Sequence, residues 1–354
     1  MNRLILIGNG FDLAHGLKTK YSDFIDWYWA EWNIRLKNSF NRKEEDELCS
    51  FKLKDSFKLS GWYYTWEFQL GLPILLDKDY DVLTIAKQNR ELCDFIIRSP
   101  LFEKICIDYE KKWVDIEDIF YALLKNSDNP KQLNDDLDLI KGKLVDYLSD
   151  LQNKQINPTI FNAKIQKQIL ETFSREDIAI SSMDKWDKLE PDKIMILNFN
   201  YTNTANMYLT DAYNYSVNHI HGTLSNPNSV IFGYGDERDD EYDVLMKKND
   251  NEYLQHIKSF RYLEASNYRE MLSFIESAPY QICIMGHSCG LSDRTLLATL
   301  FEHKNCVSIK PYYHKKDDGS DNYRELIQNI ARNFKDPTLM RDRVVRKDRC
   351  EPLG

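Results

Sequence analysis

The chain has 354 residues, of which 42% are hydrophobic and 13% aromatic, enough to bury one large core or two moderate ones. Its 47 basic and 56 acidic residues give a net charge of −9, which opposes non-specific binding of nucleic acid or anionic lipid. No run approaches the roughly 18 to 20 apolar residues of a membrane helix, and Met1 precedes a strand pattern instead of a signal peptide. The sequence therefore predicts a cytoplasmic protein that contacts no membrane.

Apolar runs that end in polar or glycine residues predict the strands of a parallel sheet, because a strand buried on both faces reads as a continuous apolar run. Helical segments alternate with them in the C-terminal half, at about 202–213, 241–278, 293–303 and 321–334. The predicted strands are 3–7, 193–197, 216–220, 230–233, 281–285 and 306–311. This alternation predicts an α/β fold with a Rossmann-like parallel sheet, in which ligands bind beyond the carboxyl ends of the strands.

The stretch between the first two strong strands carries apolar residues at helical spacing, as in the stripe from Trp113 to Leu124, and few strand signals. We therefore predict a large helical insertion after the first strand. The predicted domains are residues 1–20 with 190–335 as the nucleotide-binding domain, 21–189 as the helical insertion, and 336–354 as a C-terminal tail. The basic cluster between Arg341 and Arg349 in that tail is interpreted as a solvated charge run.

The turn Gly8-Asn9-Gly10 follows the first strand, and glycines there let backbone amides approach a phosphate without a Cβ in the way. A helix beginning near Asp12 would add its positive end. The dinucleotide fingerprint is incomplete because Leu13 stands in place of its third glycine. An ordinary tight turn therefore explains the motif equally well.

Polar residues also follow the other strands. Asn198 and Asn200 share one face, and either hold a ligand or water or cap the next helix. His219 and His221 share one side of a strand, and His221, beside Gly222, is the stronger candidate for a general base.

The last strong strand leads into Gly286-His287-Ser288, which offers backbone amides and a hydroxyl to a ribose or phosphate. Asp293 is interpreted as a helix N-cap. Phe232-Gly233-Tyr234-Gly235-Asp236 is interpreted as a flexible loop or a lid over a ligand. The seven cysteines show no C-x-x-C pair, so neither a disulfide framework nor a zinc ribbon is predicted, and no metal is expected.

The opening segment Leu6–Phe24, followed in order by Asn-Phe-Asn-Tyr-Thr (198–202), His-Ile-His-Gly (219–222) and Gly-His-Ser (286–288), closely resembles the AbiH family of bacteriophage abortive-infection proteins. The resemblance runs from end to end. It implies a protein of anti-phage defence, whose partners would include a phage trigger and a second copy of the chain.

The same ordered motifs are similar, more distantly, to the sirtuin pattern. This resemblance implies NAD as ligand or substrate, with the candidate catalytic residues Asn200 and His221 at the nicotinamide ribose. Asp12 is the third candidate catalytic residue, as a replacement for the carboxylate that the sirtuin pattern has and this chain lacks. Of the residues expected to contact NAD, Gly8, Gly10, Gly16, Gly222, Gly286 and Ser288 match the sirtuin pattern. The neighbouring Asn9, Phe11, Asn198 and His287 complete the expected set. Sirtuin-like defence proteins deplete NAD in infected cells.

The chain departs from the sirtuin pattern at Asp12, Lys18 and Thr202, and it has no four-cysteine zinc module, so protein deacylation is not implied. The leading hypothesis is hydrolysis of the nicotinamide–ribose bond of NAD. One alternative is a non-catalytic nucleotide sensor whose helical insertion reports occupancy. Another is a metal-dependent nuclease built on His219, His221 and Asp236. All nucleotide hypotheses require the segments near residues 8, 200, 221 and 287 to meet.

Overall fold

The computed structural model describes residues 1–39, 43–53, 93–109, 115–185, 189–209, 214–235, 237 and 240–354. The strands within these residues are β1 (Asn2–Ile7), β2 (Lys43–Glu45), β3 (Cys49–Leu53), β4 (Cys93–Ile97), β5 (Ile194–Asn198), β6 (Tyr215–His219), β7 (Tyr280–Met285) and β8 (Cys306–Tyr312). The chain divides into two compact units: Met1–Thr19 with Leu148–Gly354 is unit 1, and Lys20–Tyr147 is unit 2.

The α-helices are distributed along both units. In chain order they are α1 (Asn9–Ala14), α2 (Tyr21–Asn38), α3 (Pro100–Tyr109), α4 (Ile116–Lys125), α5 (Pro130–Gln155), α6 (Ala163–Ile169), α7 (Asp240–Lys247), α8 (Lys258–Arg261), α9 (Asn267–Ser277), α10 (Arg294–Glu302), α11 (Tyr323–Arg332) and α12 (Pro337–Arg343). No helix in the described ranges is both long and apolar enough to cross a membrane.

Unit 1 is built on a parallel sheet of five described strands in the order β6-β5-β1-β7-β8. Every residue of β1, β5, β7 and β8 is buried, which explains why most residues of these strands are apolar. In the centre, Ile5 of β1 lies opposite Ile196 of β5 on one side and Cys283 of β7 on the other. The parallel-sheet α/β fold predicted from the sequence is thus confirmed.

Helices cover both faces of this sheet. On one face Leu4, Leu197 and Ile282 join a core completed by residues of α9, α10 and α11, among them Ile275 and Leu300. On the other face a second core contains Ile5, Ile196, Phe11, Ile165 and Tyr208. Burying each such side chain contributes about 1.5–3 kcal/mol. These two cores fix the register of the strands and therefore the positions of the residues that follow them.

Unit 2 contains helices and, in addition, an antiparallel sheet of three described strands in the order β2-β3-β4. In this sheet Phe51 of β3 lies opposite Phe95 of β4. The indole of Trp32, on α2, packs edge-on against both rings. The stretch 21–189, predicted as a helical insertion with few strand signals, therefore also contains three short described strands, of which β2 has no apolar residue. Trp113 of the predicted helical stripe lies outside the described residues.

Five strands were predicted to within one residue at each end, but residues 230–233 do not form a strand. They belong to a buried loop, where Gly233 lies against the backbone of the chain at His256. The predicted long helix 241–278 is broken into α7, α8 and α9 with a 3-10 turn between α7 and α8. In residues 202–209, a 3-10 helix at Thr204–Tyr208 replaces the predicted α-helix.

The last residues of the chain are packed, not loose. Val344 pairs with Ile309, and Pro352 pairs with Tyr313. Arg343 is buried, and its Nη1 donates to the Phe301 carbonyl at 2.5 Å. The interpretation of the basic residues from Arg341 to Arg349 as a uniformly solvated run is therefore wrong for Arg343.

Candidate functional site

The carboxyl ends of β1, β5, β6 and β7 lie at one edge of the parallel sheet. The chain passes from β1 to β5 and β6 on one side, and then crosses β1 to reach β7 and β8 on the other. In open α/β sheets, ligands bind outside the carboxyl ends of the strands at the point where the strand order reverses. At this edge stand Gly8, Asn200, His221 and His287.

The turns after β1 and β7 touch each other through their backbones. The Gly10 amide donates to the Gly286 carbonyl at 2.8 Å. A Cβ on Gly286 would lie 2.1 Å from the Phe11 nitrogen, and one on Gly8 would lie 3.0 Å from the His287 Cα. The glycines of these two turns are therefore required by backbone packing within the protein, and the Gly10 amide is already paired.

The other residues expected to contact NAD differ in their surroundings. Gly16 has a φ of +77° at the turn after α1, and a Cβ on Gly222 would lie 2.1 Å from the Ser229 carbonyl oxygen. The exposed Asn9 accepts a hydrogen bond from the Thr19 hydroxyl. Ser288 is exposed, and Phe11 is buried in the core below the edge.

A first group of polar side chains, here called the Asp12 cluster, consists of Asp12, Asn198, Asn200, Thr202 and His219. The Thr202 hydroxyl donates to Asp12 Oδ2 at 2.7 Å. The Asn200 side-chain amide donates to the Gly8 carbonyl at 2.9 Å. Asn198 Nδ2 donates to the Thr202 carbonyl at 3.0 Å and lies 3.1 Å from His219 Nδ1. The cluster ties the end of β5 to the turn after β1.

Asp12 is the most deeply placed member of this cluster, with 1% of its surface exposed. Its Oδ1 has no hydrogen-bond partner within the described part of the chain. Burial raises the pKa of Asp12 to about 6, against the lowering effect of the hydrogen bond from Thr202. A buried carboxylate with a spare oxygen is costly to maintain, and such groups are concentrated at functional sites.

A second group, here called the His221 cluster, consists of His221, Lys258, Tyr262, His287 and Asp293. His221 Nε2 lies 3.2 Å from Asp293 Oδ1 and 3.1 Å from the Tyr262 hydroxyl. Lys258 Nζ donates to the same Asp293 oxygen at 2.8 Å. His287 Nε2 faces Asp293 Oδ2 at 3.7 Å, while its Nδ1 accepts from the Cys289 amide at 2.9 Å.

Burial and charge together set the ionisation of the His221 cluster. Burial lowers the pKa of His221, and the nearby Lys258 ammonium lowers it further, with Asp293 acting in the opposite sense. Burial disfavours the charged form of Asp293, but the Lys258 ammonium holds the pKa of this carboxyl well below its usual range. At neutral pH the cluster therefore contains a neutral imidazole at His221 beside an ionised carboxylate.

The ring of Phe199 joins the strand ends. Its centroid lies 4.1 Å from that of His287 and 5.2 Å from that of His221. Its neighbour Asn200 bonds to Gly8. The four segments named from the sequence thus do meet, in a chain of direct contacts from Gly8 through Asn200 and Phe199 to His221 and His287.

His219 and His221 do not act as a pair, because His219 contacts Asn198 whereas His221 contacts Asp293. No group of three His, Cys, Asp or Glu side chains suited to a metal ion occurs among the described residues, and Asp236 lies outside them. The interpretation of Asp293 as a capping residue is wrong: it immediately precedes α10, but its carboxylate makes no capping hydrogen bond and reaches Lys258 and His221.

Sequence reasoning missed Lys258 and Tyr262 altogether. Lys258 begins the one-turn helix α8, and nothing in its neighbours indicates a buried charge; it is only 1% exposed. The segment from Phe232 to Gly235, expected to be a flexible loop or lid, is buried. Within it the Tyr234 carbonyl accepts from the Lys258 amide at 2.9 Å. An aromatic-glycine repeat of this kind is the signal that indicates close backbone approach.

The fold and this edge define an α/β protein with two buried polar clusters at the carboxyl ends of a parallel sheet. Residues 4–314 match the sequence model of the family described as bacteriophage abortive infection AbiH. This match covers most of the chain, and the chain belongs to that family. Neither a curated protein nor a solved structure matches this chain.

Proposed function

We propose that this chain is an abortive-infection enzyme of the cytoplasm that binds NAD and hydrolyses the bond between nicotinamide and ribose. The observation that carries the proposal is the meeting of Gly8, Asn200, His221 and His287 at one edge of the sheet. Numbered within this sheet, the strands run third, second, first, fourth and fifth, which is the order of the first five strands of a Rossmann dinucleotide-binding fold. The family membership supplies the anti-phage role.

The reaction needs oriented polar groups and little water more than it needs a strong nucleophile. The bond between C1′ of the ribose and the pyridinium nitrogen breaks, and its electron pair leaves with nicotinamide, which becomes neutral. A water oxygen bonds to C1′, and the water proton passes to a base. The transition state resembles an oxocarbenium ion, so a fixed anion or dipole near C1′ lowers the barrier.

Three residues would share this chemistry. His221, held neutral, is the base that accepts the proton of the water or of a ribose hydroxyl. Asn200 is half-buried and anchored on Gly8 through its amide nitrogen, which leaves its carbonyl oxygen to orient the ribose or the water. Asp12 offers the spare Oδ1 as the anion that opposes the developing positive charge.

The remaining contacts would come from exposed groups at the same edge. Because the Gly10 amide is paired with Gly286, the pyrophosphate would be held by the side-chain amide of Asn9, and the Ser288 hydroxyl would contact the adenosine ribose. Both residues lie at the surface of the edge, where a ligand reaches them without displacing the core.

The test is to incubate the purified full-length chain with NAD and to follow nicotinamide by chromatography, with NAD binding measured in parallel by calorimetry. His221→Asn is the test variant and His314→Asn, at an exposed position, is the matched control. We expect release by the wild type and H314N, a loss of at least about 100-fold in H221N, and no effect of EDTA, because a neutral leaving group needs no Lewis acid.

The other outcomes separate the alternatives. Binding of NAD without release by any preparation, with or without lysate from phage-infected cells as a source of trigger, overturns hydrolysis and leaves a nucleotide sensor. Loss of release on adding EDTA, restored by a divalent cation, overturns the metal-independent mechanism. Neither binding nor release under both conditions overturns the whole proposal.

A further inference from the structure

We propose that Lys258 and Asp293 are positioning residues that hold the imidazole of His221 in one orientation and one tautomer, with its proton on Nε2 and its lone pair on Nδ1. The inference rests on the proposed function only in taking His221 as the base. It assigns a role to two residues that do not themselves touch the reacting atoms.

The hydrogen bonds define the tautomer. Asp293 is ionised and can only accept, so His221 Nε2, which lies 3.2 Å from its Oδ1, must carry the proton. The Tyr262 hydroxyl, 3.1 Å from the same nitrogen, then accepts from it as well. In a neutral imidazole the proton on one nitrogen leaves the lone pair on the other, so Nδ1 becomes the basic atom.

Lys258 stabilises this arrangement by charge. Its ammonium is buried and shares Asp293 Oδ1 with His221. A buried carboxylate that faced His221 without a cation would favour protonation of the imidazole, because an imidazolium–carboxylate pair would replace an isolated anion. With Lys258 in place the anion is already neutralised, and His221 stays neutral and able to accept a proton.

Each group that faces His221 fits this assignment. His287 cannot substitute for His221, because its Nδ1 accepts from the Cys289 amide and its Nε2 faces Asp293. The Phe199 ring lies edge-on to His221, and the Tyr262 ring stacks on it with an interplanar angle of 7°. The charged neighbours are Asp293 and Lys258, whose opposite charges balance, and His287, which further lowers the pKa of His221.

Two glycines fix the Lys258 side of the cluster. A Cβ on Gly233 would lie 2.0 Å from the His256 carbonyl oxygen, and one on Gly235 would lie 2.8 Å from the Ser292 carbonyl oxygen. The Tyr234 amide donates to the His256 carbonyl at 3.0 Å. The segment from Gly233 to Gly235 thus contacts the chain next to Lys258 and the chain next to Asp293, and it sets their spacing.

The direct test is histidine nuclear magnetic resonance on the full-length chain labelled with ¹⁵N in its imidazoles, with the His221 signals assigned by their absence in H221N. We expect His221 of the wild type to be neutral at pH 7 with the proton on Nε2. In Lys258→Met its pKa should rise by at least about one unit, a tenfold change in its protonation constant. Lys258→Arg, which keeps the charge, and Lys248→Met, at an exposed position just after α7, should behave like the wild type.

Asp293→Asn should remove the fixed tautomer, so that both neutral forms of His221 are seen. Two results would overturn the inference. One is a proton on Nδ1 of His221 in the wild type, and the other is an unchanged His221 titration in a folded K258M. These measurements need no turnover, so they test the inference even if the chain does not cleave NAD. If the chain does cleave NAD, the acid limb of its kcat/KM profile should move up in K258M by the same amount as the His221 pKa.

Discussion

Replacement of Gly286 by alanine tests whether the two glycine turns at the sheet edge touch as described. Gly286 has a φ of +79°, which costs an alanine about 1–2 kcal/mol. Its new Cβ would also stand 2.1 Å from the Phe11 nitrogen and 2.4 Å from the Gly10 carbonyl carbon. Forcing the two backbones apart adds about 1–3 kcal/mol. We therefore expect Gly286→Ala to destabilise unit 1 by about 2–5 kcal/mol.

Two other glycines provide matched controls. Gly16 has nearly the same φ, +77°, but nothing lies within 4 Å of the position that a Cβ would take, so Gly16→Ala should cost only the backbone strain of about 1–2 kcal/mol. Gly142 lies inside α5 with open space around it, and Gly142→Ala should stabilise by up to about 1 kcal/mol. Thermal unfolding followed by circular dichroism shows about 2–4 °C per kcal/mol for domains of this size. Equal melting temperatures for G286A and G16A would refute the contact between the turns.

Two further changes probe buried polar groups. Asp12→Asn removes a carboxyl whose pKa in the folded protein, about 6, lies above its ordinary value of 3.8, so the wild type loses stability as pH rises through that interval and the variant does not. The free energy of unfolding of D12N, relative to that of the wild type, should increase by up to about 3 kcal/mol between pH 4 and pH 7. Urea unfolding at each pH measures it, and the same difference in free energy at every pH would contradict the burial of the Asp12 charge. Arg343→Ala removes the buried donor to the Phe301 carbonyl and should lower the free energy of unfolding by about 2–3 kcal/mol. Arg341→Ala, at an exposed position, should change it by no more than about 0.5 kcal/mol in the same assay. Similar effects of the two substitutions would show that the tail is not packed.

The sequence predicted the sheet well because its strands are buried on both faces. A run such as Leu4-Ile5-Leu6-Ile7 leaves little choice of structure, and the rule that ligands bind at carboxyl ends then indicated which residues meet. Residues 230–233 carry a similar apolar run but form a buried loop, since Gly233 and Gly235 are needed where another stretch of backbone comes close. The pattern of apolar residues alone does not distinguish a buried strand from a buried loop.

The charged part of the site was harder to predict for a different reason. An aspartate just before a helix serves equally well as a cap or as a partner for a distant cation, and Asp293 takes the second role because Lys258 reaches it. That choice depends on a tertiary contact across 35 residues, which no local pattern encodes. The same holds for His219 and His221, whose partners come from different segments.

The position of β1 at the centre of the sheet has a consequence for biosynthesis. Its partners on either side, β5 and β7, begin at Ile194 and Tyr280. At about 5–20 residues per second, a ribosome takes on the order of ten seconds to a minute to supply both of them. Until β5 is synthesised, the six residues of β1, which are entirely buried in the finished protein, have no neighbouring strand, and until β7 follows they have one on one side only. Unpaired strands of this kind promote aggregation. We therefore expect prematurely terminated chains that lack β7 to be less soluble than the intact protein.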